Sequence, residues 1–343
     1  MIQNKRIGWV DYTKLFACIL VVLGHFFQSM TASNILPDNS LYQYFNTTIY
    51  YFHVPLFFIC SGFLYQQYSK INSVGLWKNN ILKKLLSLGI PYLTFSAITW
   101  LLKNVFSSSV NIGLESGLLK TLLLHPIAPY WYLYALFFIF LVIPTFTTQK
   151  QMWVIFIISV VLKVITFFVT CKINCVEYIM EYSIWFVMGM ILSEIKITDI
   201  IGIKHYYFGI IFGVLYLILS FWLFSIHVDK LYIGFLLGFI ACASVICLCI
   251  SLGNSNDTMI TRFSARYTMP IYLMHTIFAA PLRIVLIKIG ITNWVVHVIL
   301  GLAISFIGPI IAEMIICRFK FLEFFLYPNK VLKGRKKICQ QKN

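Results

Sequence analysis

From position 10 to position 27 the chain is apolar enough, for long enough, to cross a bilayer, yet the stretch contains Asp11, Lys14 and His25. Ionisable groups are expensive in hydrocarbon, so those a chain keeps there usually mark a site. Eleven residues separate Lys14 from His25. At about 100° per residue that is close to three helical turns, which puts both on one face roughly 16 Å apart. The spacing predicts a cation at the membrane edge and an imidazole near the middle.

Composition places the rest of the chain in the same solvent. Hydrophobic residues make up 60%, charged residues 11%, and the mean hydropathy is +0.86, which excludes an ordinary water-soluble domain. Ten apolar segments approach the roughly 20 residues that a spanning helix needs. They fall near 10–28, 47–66, 85–102, 129–147, 152–170, 178–193, 206–226, 231–252, 268–289 and 294–317. The expected fold is an all-α polytopic helical bundle of about ten transmembrane helices. No polar stretch is long enough for a soluble domain, so one membrane domain is expected over 1–343, with a short basic tail at about 318–343.

Ten spans put both termini on one side, and the loops sort by charge accordingly. One set holds Lys5, Arg6, Lys70, Lys78, Lys83, Lys84, Lys150, Lys196, Lys204, Arg262, Arg266 and the tail from Arg318 to Lys342. The opposite set holds Lys103, Lys120, Lys172, Lys230 and Lys288. This asymmetry predicts cytoplasmic termini and accounts for the net charge of +16 as topology plus attraction to anionic lipid. Orientation already requires these charges, so no nucleic-acid partner is expected. A secretory-leader reading of the first segment fails because Asp11 and Lys14 interrupt its apolar run.

Cys18, Cys60, Cys242, Cys247, Cys249 and Cys317 read as small packing residues, and no metal site is expected. Cys171 and Cys175 fall in a short extracytoplasmic loop, where a local disulfide is chemically permitted.

The second span reads FHVPLFFICSGFL at 52–64. Pro55 is expected to remove a backbone hydrogen bond and bend the helix. Gly62 is expected to admit another backbone at close range, which would make this helix the curved wall of a cavity.

At this point the chain resembles the bacterial acyltransferase-3 family of integral membrane acyltransferases. KLFACILVVLGH, from Lys14 to His25, is similar to the family's opening motif of a basic residue, a ten-residue gap and a histidine, with Lys where Arg is usual. FHVPLFFICSGFL resembles its second-helix motif, KKLLSLGIPY at 83–92 its basic third-helix entrance, and APYWYLYALF at 128–137 its aromatic mid-chain motif. SARYTMPIYLMHT at 264–276 resembles its Ser, Tyr, Leu, His segment. Some relatives carry a fused extracytoplasmic SGNH-hydrolase-like domain after the membrane part, where this chain has its basic tail.

The resemblance implies transfer of an acyl group, usually acetyl, from cytoplasmic acetyl-CoA to a hydroxyl of a surface-polysaccharide sugar, such as O-antigen or capsule, or its lipid-linked precursor. The expected location is the bacterial inner membrane. Acetyl-CoA enters as a donor substrate, and no permanently bound cofactor is expected. His25 becomes the candidate general base, or a transient acyl carrier. Lys14, with Lys78, Lys83 and Lys84, becomes the candidate anchor for the donor's phosphates, and Asp11 a partner one turn from Lys14. Lys14 in place of Arg loses the planar bidentate fork.

Further residues are candidates for lining the cavity. His53 and Ser61 share a stripe on the second helix, although Ser61 lacks a nucleophile elbow and reads better as a packing residue. Tyr272 and His275 sit on adjacent turns. Glu177 and Glu181 would either bind sugar hydroxyls or cap an interfacial helix. The aromatic run from Tyr130 to Tyr134 is expected at the membrane interface as an anchoring belt, with sugar stacking as the alternative. Lys163 and Arg283 are intramembrane cations without legible partners. A transporter or flippase of glycan remains the alternative class, since buried cations and a wide aromatic cavity suit it too. The imidazole three turns from a cation is the feature that favours the enzyme.

Overall fold

A computed structural model describes residues 6–69, 71–107, 113, 117–197, 204–228, 230–253 and 258–333. Every regular element among them is helical. The order is α1 (Gly8–Ala32), α2 (Ser40–Tyr50), α3 (His53–Ser69), α4 (Val74–Lys84), a π-helical turn (Leu85–Gly89), α5 (Ile90–Val105), α6 (Leu118–Leu123) and α7 (Trp131–Val142). Then come α8 (Gln149–Thr166), α9 (Asn174–Glu194), α10 (Lys204–Ser225), α11 (Leu231–Leu252), α12 (Met259–Lys288), α13 (Trp294–Ile316) and α14 (Lys320–Leu326).

Nine helical stretches among the described residues are long and apolar enough to span a membrane, with α2–α3 and α4–α5 each counting as one. Their outer faces are apolar: Trp153 and Ile157 on α8, and Phe221 and Trp222 on α10, are all exposed. Such faces are stable only against lipid, and the chain is a multi-pass membrane protein.

The expected fourth span, 129–147, is the exception. Pro144 forces Ile143 into an extended conformation (φ −94°, ψ 113°), so α7 stops after twelve residues. At about 1.5 Å per residue it covers only about 18 Å of a core about 30 Å thick. It lies inside the bundle, with Tyr130, Ala135 and Ile139 fully enclosed. The extended chain after it is satisfied by protein: the Phe146 N–H donates to Gln66 Oε1 at 2.9 Å, and the Tyr65 hydroxyl donates to the Ile143 carbonyl at 3.1 Å.

Pro55 removes a backbone hydrogen bond as expected: it cannot donate to the Tyr51 carbonyl one turn earlier, and the helix is interrupted at Tyr51–Phe52, between α2 and α3. Gly62 behaves as expected. A Cβ there would land on the Phe186 carbonyl of α9, and a Cβ on Gly189 would land on the Ile59 carbonyl of α3. These reciprocal glycines let α3 and α9 pack backbone to backbone.

Pro270 inside α12 cannot donate to the Arg266 carbonyl one turn earlier, and the Tyr327 hydroxyl does so instead at 3.0 Å. Tyr12 near the start of α1 meets Thr258, the N-cap of α12, at 3.1 Å. The Asn329 amide donates to the Lys83 carbonyl at 3.1 Å. The starts of α1 and α12, the end of α4 and the segment after α14 therefore share one end of the bundle. Basic residues of the first loop set gather there: Arg6, Lys83, Arg262 and Lys330. Lys5, Lys70 and the tail beyond residue 333 lie outside the described residues.

Candidate active site

His25 stands where α1 packs on α12, its ring centroid 5.5 Å from that of His275 with the planes tilted by 34°. His275 Nδ1 lies 3.0 Å from the Ile271 carbonyl and 2.9 Å from the Tyr272 carbonyl. A carbonyl only accepts, so Nδ1 carries the proton and Nε2 the lone pair. That Nε2 is buried without a partner. His53 is held alike, with Nδ1 donating to the Ile49 carbonyl at 2.6 Å and Tyr50 edge-on at 4.7 Å. His25 itself forms no side-chain hydrogen bond among the described residues, which leaves both ring nitrogens available to a substrate.

His25 is half-buried because it opens onto two cavities. The first, of about 250 Å³, is walled by Tyr50, Trp131, Tyr132, Tyr182 and Trp185 and also receives His53 and Tyr272. The Trp131 ring lies 5.2 Å from both Tyr178 and Tyr182. Ser61 lies outside this lining; its Oγ meets the Tyr132 hydroxyl at 3.0 Å and so orients a wall residue. Tyr272 donates to the Pro129 carbonyl, tying α12 to the start of α7. Glu181 lines the cavity as the ion-pair partner of Lys163. Glu177, one turn away, does not line it.

The second cavity, of about 230 Å³, lies between α1, α5 and α12 and shares His25 with the first. Besides His25, its polar lining comes from Gln28, Ser29, Thr99, Lys103, Thr276 and Arg283. The Arg283 guanidinium is tied to Ser29 on α1, through Nη1 to the carbonyl oxygen at 3.0 Å and through the hydroxyl.

Three turns back along α1, Lys14 shares its surroundings with Lys84, whose Nζ sits 3.9 Å over the Phe140 ring and within electrostatic reach of Lys14. Lys78 and Lys83 are exposed on α4, so the expected four-lysine cluster divides into an inward pair and an outward pair. Asp11 feels the charges of Lys14 and Arg6 but forms no direct ion pair with Lys14 among the described residues. Its carbonyl accepts from the Ser264 hydroxyl at 2.7 Å, fixing α1 to α12.

Tyr130 and Tyr132 are not an interfacial belt: they are 0% and 8% exposed inside the bundle, and Tyr132 walls the first cavity. The Tyr130 hydroxyl donates to the Leu273 carbonyl at 3.0 Å, a burial that hydropathy could not foretell because aromatic residues suit interface and interior alike. Cys171 and Cys175 are both free thiols. The partner of Lys163 is Glu181, and Glu313 receives the Arg266 fork through Nε and Nη2 at 3.0–3.2 Å.

The bundle is that of an integral membrane protein, with an imidazole held free of hydrogen bonds between two of its cavities. The chain matches the acyltransferase-3 family model, described as an acyltransferase domain, over residues 7–314, and it belongs to that family. No curated protein and no solved structure matches it.

Proposed function

We propose that this membrane acyltransferase moves an acyl group, acetyl in the simplest case, from cytoplasmic acyl-CoA to a hydroxyl of a surface-polysaccharide sugar or its lipid-linked precursor in the bacterial inner membrane. The observation that carries this reading is His25 itself, without a hydrogen bond of its own and reachable from both cavities. Lys14 and Lys84 bring two positive charges together at the basic end, which suits the phosphates of a nucleotide-bearing donor. An extended pantetheine arm then runs along α1 toward His25.

In the proposed reaction a ring nitrogen of His25 takes the proton from the acceptor hydroxyl as its oxygen attacks the thioester carbonyl carbon. The tetrahedral intermediate expels the CoA sulfur as the C–S bond breaks, the imidazolium returns the proton to that sulfur, and an oxygen ester remains. Trp131 and its neighbours offer flat faces to a sugar ring. The neutral tautomer of His275 places no second proton against His25 when it becomes cationic.

The test is NMR of surface polysaccharide from a host lacking the gene, complemented with wild type or His25→Ala at equal membrane abundance. Alkali-labile O-acyl signals restored by wild type alone are expected. Equal restoration by both would remove His25 from catalysis and favour translocation of glycan without transfer.

A further inference from the structure

The second cavity contains charge that the proposed reaction does not use. Arg283 is 7% exposed, has no acidic partner among the described residues, and keeps a buried Nε without any hydrogen-bond partner. Thr276, on the same wall, adds a buried hydroxyl beside that of Tyr130. Lys103 joins them from α5, and no carboxylate lines the cavity. A buried guanidinium with one fork edge unused is unstable unless an anion completes it.

The placement specifies which anion. Arg283 is bonded to Ser29, one helical turn from His25, so its guanidinium sits about one turn, roughly 5 Å, further along α1 than the imidazole. Both cations stand near helix ends, Arg283 five residues before the end of α12 and Lys103 two before the end of α5. Both therefore lie toward the end of the bundle opposite the basic end, the end at which α5 and α12 finish. The rest of the lining is largely apolar, with Leu102, Phe106, Ile277 and Ile284 among it.

We propose that this cavity binds the phosphate of a lipid-linked acceptor, with Arg283 and Lys103 as its anchors and the lipid chain leaving toward the membrane. The first sugar then lies between the phosphate and the aromatic cavity, with a hydroxyl at His25. This assignment rests on the acyltransfer reading for its purpose but not for its test.

The experiment is titration of the full-length protein in phosphatidylcholine nanodiscs with decaprenyl phosphate, using decaprenol, inorganic phosphate and phosphatidylglycerol as comparison ligands. Decaprenyl phosphate is expected to bind wild type, and Arg283→Gln to weaken it about tenfold or more, with Arg283→Lys recovering part of the loss. Lys103→Gln is expected to give a smaller loss, and it carries the test if the Arg283 variants fail to insert. Binding unchanged in Arg283→Gln and Lys103→Gln overturns the site. Equal binding of decaprenol removes the phosphate from it, and equal binding of inorganic phosphate or phosphatidylglycerol overturns the lipid-linked acceptor as occupant. Arg283-dependent binding in a protein that transfers no acyl group would leave the site standing and remove the acyltransfer reading alone.

Discussion

On one side of His25 the buried cation Lys163 meets Glu181; on the other the buried cation Arg283 meets only Ser29. Lys163 also lies 5.3 Å and 5.4 Å from the ring centroids of Phe167 and Phe235, so its charge is answered on several sides. The first cavity thus presents aromatic faces, a compensated ion pair and, at its exposed edge, Lys230. The second presents an uncompensated cation. The two buried charges are answered by different groups: Lys163 by a carboxylate, Arg283 by the neutral carbonyl and hydroxyl of Ser29.

The largest effect comes from removing the group that both cavities share. His25→Ala is expected to lower acyl transfer by about 100-fold or more while leaving the melting temperature in detergent nearly unchanged, since the imidazole makes no hydrogen bond to lose. An activity loss matched by a collapse in stability would make His25 a packing residue. Next come the two cations. Glu181→Ala leaves Lys163 buried without its partner and is expected to destabilise the protein by about 2 kcal/mol, a value reduced from that of a fully buried pair because the Glu181 side chain is 32% exposed. Arg283→Gln removes a charge that has no counter-ion, so its stability change is expected to stay within about 1 kcal/mol. Equal losses for the two variants, read as melting temperatures, would erase the distinction between the cavities. Smaller still, Trp131→Ala is expected to raise the KM for the glycan acceptor about tenfold with kcat retained, because it removes a stacking face and leaves the proton acceptor alone.

How much of this was legible depended on sequence distance. Lys14 and His25 lie on one helix, so their spacing alone set their geometry. Gly62 could be read because a glycine among large side chains in a span admits a close neighbour. The aromatic run at 130–134 could not be placed, since hydropathy does not distinguish lipid from protein as the surroundings of a ring. The short α7 was legible in Pro144, which disfavours helix at the residue before it; the expected span of 129–147 ran over that signal into Thr145, Phe146 and Thr147. Glu181 lies 18 residues from Lys163 on a different helix, and Ser29 lies 254 residues from Arg283. No local pattern encodes such pairings, which is why both cations were visible and both partners were not.

The smallest expected effect applies the same contrast at the basic end. Lys84 is turned inward over Phe140 beside Lys14, whereas Lys78 and Lys83 are exposed to solvent, so the four lysines should not contribute equally to donor binding. Two like charges held close together favour a polyanion that can answer both, and a partly buried pair is screened by salt less than an exposed one. Lys84→Ala is therefore expected to raise the KM for acyl-CoA about fivefold at low and at about 0.5 M salt alike. The Lys78→Ala, Lys83→Ala double variant should change it less than about twofold, and that change should disappear at the higher salt. Steady-state kinetics with acyl-CoA as the varied substrate decides the matter. A larger, salt-resistant loss in the double variant would move the donor site from the inward pair to the surface of α4.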